Sequence, residues 1–203
     1  MMYIARILYP IKVLGPGNRI GIWFNGCNHK CSGCSNPELW EINEKYRVDI
    51  NILADLISRI CTENKVDGFT LTGGDPFYQP NAINELLPIL SNYSKDILVY
   101  TGYQFEEIQN KYSDLLKYIS VIIDGPYIEE RNNGLPLRGS DNQEIIILKK
   151  EFEDVYIDYI KNSNNEIQNF TVTDGIISVG IHRPNFNNDI MHMLAKKGIS
   201  KNE

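Results

Sequence analysis

Cysteine is sparse in this chain of 203 residues, which has four, and three of those fall within eight consecutive positions. Thiols bunched in this way cannot lay out the paired framework of a disulfide-stapled domain. Positive charge is also short: 20 Lys and Arg against 26 Asp and Glu leave a formal net charge of -6, which gives no support to nucleic-acid binding through a broad basic surface. No run has the length or apolarity of a membrane span. The opening "MMYIARILYP" lacks the basic, apolar and small-residue succession of a secretion signal, so a cytoplasmic protein is expected. In that reducing compartment, clustered thiols serve as metal ligands or redox groups.

What is present is ordinary for a soluble globular protein. With 42% hydrophobic and 23% charged residues, the chain suffices for one domain with a real core and a short appendage. Apolar runs alternate with segments of helical period. "RIGIWFNG" (19–26), "DGFTLTGG" (67–74), "DILVYTG" (96–102) and "SVIIDGP" (120–126) read as strands. Between them, 48–64, 81–90 (despite Pro88) and 104–119 read as helices, the first with Ile52, Leu53, Leu56, Ile57 and Ile60 on one face. This order is that of an α/β parallel sheet covered by helices. The strands' carboxyl ends then share one edge, so the cysteine loop, "TGGDPF", "TGY" and "DGPY" are expected at a single site.

In "GCNHKCSGCSNPELW" (26–40), Cys27, Cys31 and Cys34 follow the spacing C-x3-C-x2-C. Three thiolates can point inward from one such loop, with Gly26 and Gly33 letting the backbone wrap closely. On a four-iron cluster they leave one iron with an open position, where chemistry would occur. The alternative is a zinc ion completed by His29, whose place between the first two cysteines would strain such a site.

At this spacing the chain resembles the radical S-adenosylmethionine enzymes. "LGPGNRIGIWFNGC", "KCSGCSNPELW", "LTGGDPF", "YTGYQFEEI", "IIDGPYI" and "LRGSDNQ" occur in the order found in the activating enzymes of anaerobic, class III ribonucleotide reductase, a likeness over about residues 5–148. The resemblance implies a partial (βα)6 TIM-like barrel as the core domain, 1–148, with a small hairpin-helix extension over 149–203. It implies a 4Fe-4S cluster on Cys27, Cys31 and Cys34, and S-adenosylmethionine chelated by the open iron. It also implies one-electron cleavage of that cofactor to methionine and a deoxyadenosyl radical. No protein general base is needed for the hydrogen abstraction that follows. The implied partners are a glycyl radical enzyme as protein substrate and a reduced flavodoxin or ferredoxin-like electron donor, with no nucleic acid and no membrane.

Residue by residue, Gly73, Gly74 and Asp75 resemble the family's glycine-rich motif, where backbone carbonyls receive the cofactor's ammonium. Gly33 and Ser35 are adenosine-side candidates; the activases usually have an aromatic where this chain has Ser35, so any packing by that ring would be lost. Thr101, Gly102 and Asp124 are further cofactor-side candidates, each equally readable as a strand-end turn residue. Arg138 either grips the cofactor's carboxylate in a two-pronged contact or fixes a neighbouring loop.

Other residues suggest packing. Cys61 borders the buried face of a helix, Tyr100, Tyr103, Tyr112 and Tyr118 fit strand ends and helix faces, and His182 and His192 are too isolated for a second metal. In the extension, 170–180 alternates around Asp174 and Gly175 as a hairpin. The stretch 187–198 reads as a helix with Lys196 and Lys197 in its last turn, stopped by Gly198. Such elements need a surface: they cover the open side of the barrel or bind the protein substrate, the latter slightly favoured. Two other readings stay open, a radical enzyme acting on a different peptide, protein or small molecule, and an iron-sulfur electron-transfer or binding protein without catalysis.

Overall fold

The structure, a computed structural model, describes residues 1–196 except Asp174 and Asn185. Seven strands form one mixed sheet in the order β3-β1-β2-β4-β5-β6-β7. They are β1 (Met2–Ile11), β2 (Arg19–Phe24), β3 (Arg47–Val48), β4 (Gly68–Gly73), β5 (Ile97–Tyr100), β6 (Val121–Ile123) and β7 (Ile145–Ile147). β2, β4, β5 and β6 are parallel neighbours, joined through α1 (Ile50–Glu63), α2 (Pro80–Ser91) and α3 (Phe105–Leu116). Both flanks depart from the expected all-parallel order: β1 pairs antiparallel with β2 and β3, and β7 antiparallel with β6. Among the described residues there are thus four parallel strands and three crossover helices, where six units were expected.

Alternation along the strands splits the core in two. Ile20, Ile22, Phe24, Phe69, Leu71, Ile97 and Val99 pack with Leu53, Ile57, Ile83, Leu86 and Ile108 of the three helices. Ile52 corrects the expected helical stripe, being 65% exposed. At about 100° per residue it lies a quarter turn from Leu53, outside the arc that meets the sheet. Pro88 sits inside α2 as read, and Cys61 packs at the core's edge.

The opposite face of the sheet is covered by α4 (Glu153–Asn162) and the hairpin β8 (Gln168–Val172) and β9 (Gly175–Val179), which α5 (Phe186–Lys196) follows. Tyr156 of α4 is fully buried with Leu98, Val121 and Ile123, and Val179 is buried with Ile11, Leu14 and Trp23. Tyr156 also donates to Asp96, whose carboxylate pairs with the fully buried Arg19 at 2.5 Å. The Arg19 guanidinium is further engaged by Thr70 Oγ1 and the Phe69 carbonyl, so the buried charge is compensated. The hairpin pairs as read, although Asp174 of its turn, and Lys197 and Gly198 at the expected helix stop, lie outside the described residues.

Candidate functional site

Because β2, β4, β5 and β6 are parallel and adjacent, the loops that follow them leave from one edge of the sheet. There they surround a cavity of about 400 Å³, within the range of small-molecule sites. Cys27, Cys31, Cys34, Gly33 and Ser35 line it from the loop after β2. Gly73, Gly74 and Asp75 line it from β4, and Thr101 and Gly102 from β5. Motifs more than seventy residues apart in sequence do meet at one cavity.

The cysteine loop is fastened at both ends by backbone contacts. Gly26 and Cys27 donate to the Leu39 and Trp40 carbonyls, each at 2.8 Å. Asn25, fully buried, takes the Asn43 amide on its Oδ1 and donates to the Glu41 carbonyl. The glycine motif closes on the same segment: Gly74 N donates to the Phe24 carbonyl at 2.7 Å and Asp75 N to the Gly26 carbonyl at 2.9 Å. A Cβ at Gly74 would run into that Gly26 carbonyl, so glycine is required here by the approach of two backbones.

Asp75 is 1% exposed and faces inward to its own scaffold. Its oxygens accept from the amides of Phe77 (2.9 Å) and Gly102 (2.8 Å) and from the Thr101 hydroxyl (3.0 Å). His29 Nε2 completes the set at 3.1 Å, with the imidazole edge-on to Tyr103. One carboxylate therefore ties the loops after β2, β4 and β5 together. His29 serves this tie through Nε2.

Burial pushes the Cys27 thiol up to about 11 and raises that of Cys31 as well. The bare Cys27 and Cys31 thiols thus favour the protonated form, and a positive metal centre is what draws out their thiolates. Among the described residues, no three His, Cys, Asp or Glu side chains converge on one point as ligands of a single ion do. A cubane takes one thiolate per iron, so its ligands stand apart around the cluster. Three soft, half-buried donors at the wall of one cavity suit a cluster and not a lone zinc ion.

Asp124 and Arg138 do not line the cavity. Asp124 is buried and accepts from the Phe105 and Glu144 amides at 2.8 and 3.0 Å, joining the start of α3 to the approach of β7. Arg138 donates to the Gln143 carbonyl at 3.0 Å, the loop-fixing role of its two readings. Gly125 and Tyr127 of "DGPY" line the cavity as expected, whereas sequence reasoning passed over Glu129 and Gln143 from the connection between β6 and β7, and Ser178 to His182 and Phe186 from the extension, all of which line it too. "LRGSDNQ" held the signal for Gln143; for the extension, no local pattern did.

A family model described as a 4Fe-4S single cluster domain matches residues 13–146. The anaerobic ribonucleoside-triphosphate reductase-activating protein of Enterobacteria phage T4 is 39% identical over 144 residues, covering 68% of this chain and 90% of that protein. Its namesake in Vibrio cholerae is 37% identical over 148 residues (68% and 93%), and that of Escherichia coli K12 32% over 146 residues (66% and 92%). The chain belongs to the family of anaerobic ribonucleoside-triphosphate reductase-activating proteins. As a member of that activating-protein family it is a radical S-adenosylmethionine oxidoreductase, with a 4Fe-4S cluster and S-adenosylmethionine as its cofactors. Among the described residues, no helix is long and apolar enough to cross a membrane.

Proposed function

We propose that this protein activates an anaerobic ribonucleotide reductase by placing a radical on one of its glycines. The observation that carries the reading is the shared cavity of Cys27, Cys31 and Cys34 with Gly73 and Gly74. When the cofactors are bound, one electron passed through the cluster splits S-adenosylmethionine to methionine and a deoxyadenosyl radical, which takes a hydrogen atom from the glycine. The three cysteines hold three of the irons. Gly73 and Gly74 bring bare backbone to the cofactor's amino end, with Gly33 and Ser35 on its adenosine side. Asp75, Thr101 and Gly102 act together by fixing the loops that carry these groups, while Asp124 and Arg138 brace the connection to β7. Electrons come from a reduced flavodoxin or ferredoxin-like donor in the cytoplasm. The open sheet is the remnant of the partial barrel of radical S-adenosylmethionine enzymes, with the extension lying over its open side.

The test is anaerobic. Reconstituted, reduced protein should convert S-adenosylmethionine to 5'-deoxyadenosine, and adding the cognate reductase should give a glycyl radical by electron paramagnetic resonance. Deoxyadenosine without a glycyl radical would refute the target; a full cluster without deoxyadenosine would refute the cleavage. Alanine at Cys27, Cys31 or Cys34 should abolish cluster assembly, and Cys61→Ala should leave it intact.

A further inference from the structure

Buried polar side-chain atoms normally find partners, and one that does not calls for a reason. Among the described residues the unpartnered atoms are Trp40 Nε1, Tyr100 Oη, Arg138 Nε, Asn142 Oδ1 and His182 Nε2. Trp40, Tyr100 and His182 line the cavity of the cysteines; Arg138 and Asn142 do not. Three residues with unpartnered polar atoms at the lining of one cavity are what a polar ligand there would satisfy.

His182 is the one of these that the chain adds from outside the matched domain, which ends at residue 146. Its backbone is anchored: Asn132 Nδ2 donates to the His182 carbonyl at 2.9 Å, and the preceding strand is held by buried Val179. The imidazole stacks on Phe186, with ring centroids 4.0 Å apart and planes 17° from parallel. Burial lowers the imidazole's affinity for a proton, so it meets the cavity as a neutral ring able to donate or accept. A neutral hydrogen-bonding nitrogen on an aromatic backing fits the uncharged nucleoside end of a ligand better than its carboxylate.

We infer that His182 is a further contact for the nucleoside of S-adenosylmethionine, supplied by the C-terminal extension. The inference rests on the proposed reading of this cavity as the S-adenosylmethionine site. Equilibrium dialysis of reconstituted, full-length protein against S-adenosylhomocysteine, and separately against methionine, tests it. His182→Ala and His182→Phe should each weaken S-adenosylhomocysteine binding about tenfold, with methionine binding, iron and sulfide unchanged. The Phe variant keeps the stack on Phe186, so it decides the matter if the Ala variant unfolds. Wild-type affinity for S-adenosylhomocysteine in a folded, cluster-bearing His182→Phe protein overturns the inference and leaves the proposed function standing. A wild-type protein that binds neither S-adenosylhomocysteine nor S-adenosylmethionine overturns both.

Discussion

The Tyr156 hydroxyl donates to Asp96 Oδ1 at 2.8 Å across 60 residues of chain, joining the extension to the ion pair that Asp96 makes with Arg19. The Ser120 hydroxyl donates to the same oxygen at 2.7 Å. Tyr156→Phe leaves a buried carboxylate one donor short and should destabilise the protein by about 1.5–3 kcal/mol, the usual range for a hydrogen bond to a charged group. Urea denaturation of the two proteins would measure it, and equal midpoints would contradict the role given to the phenol.

Removing the extension altogether has a larger effect. A chain ending at Lys149 exposes Leu98, Val121 and Ile123 where α4 lay and Ile11 and Trp23 where the hairpin lay. Insoluble protein is expected, rather than a folded enzyme that has lost only its docking surface. The soluble fraction after expression, with size-exclusion chromatography, checks this. A monomeric, cluster-bearing truncation would show that the covering is dispensable.

Gly74→Ala should lose the cluster as well as the cofactor. Its new Cβ meets the Gly26 carbonyl, and the cysteine loop begins one residue later. Overpacking of this kind costs about 1–3 kcal/mol, and here the displacement falls on the ligand loop. Iron and sulfide per chain after anaerobic reconstitution should drop well below wild type; full loading would mean that the loop yields without harm.

Asp75→Asn turns an all-acceptor group into one with two N–H donors, among the amides of Phe77 and Gly102 and the Thr101 hydroxyl that already point at it. At least one donor must then face another. A loss of about 1–3 kcal/mol is expected, read from the denaturation midpoint. Unchanged stability would deny Asp75 its organising role.

Acid should weaken the fold through His182. Burial lowers its folded pKa, so the unfolded chain takes the proton first, near the usual value of about 6.5. The stabilising contribution is whole above that value and is lost as pH falls from it toward the lower folded pKa. Between about pH 7.5 and about pH 5.5, the denaturation midpoint of wild type should fall further than that of His182→Phe. Parallel declines would remove the imidazole from the acid response.

The strands and helices legible from sequence were those whose apolar spacing is locally complete, such as Ile97 to Val99 or Leu53 with Ile57. β1 escaped because only three of its ten residues are buried, so it shows no clear alternation. α4 has a single fully buried residue, Tyr156, with Phe152, Tyr159 and Ile160 half-buried beside it at helical spacing, a short stripe among charged neighbours. The cysteine loop and the glycine motif declare themselves by spacing. Val179 and His182 reach the cavity through the path of a distant hairpin, which no short window of sequence contains.

That path gives the site a history within each molecule. The cysteines leave the ribosome about 150 residues before Val179 and His182, which at ~5–20 residues per second is roughly 8–30 s of synthesis. Throughout that interval the nascent thiols lack the hairpin wall that later stands beside them. An iron-sulfur carrier meeting the chain early finds open access, and one arriving after release must work past the packed hairpin. Pulse-labelled iron should therefore enter growing chains faster than finished apoprotein.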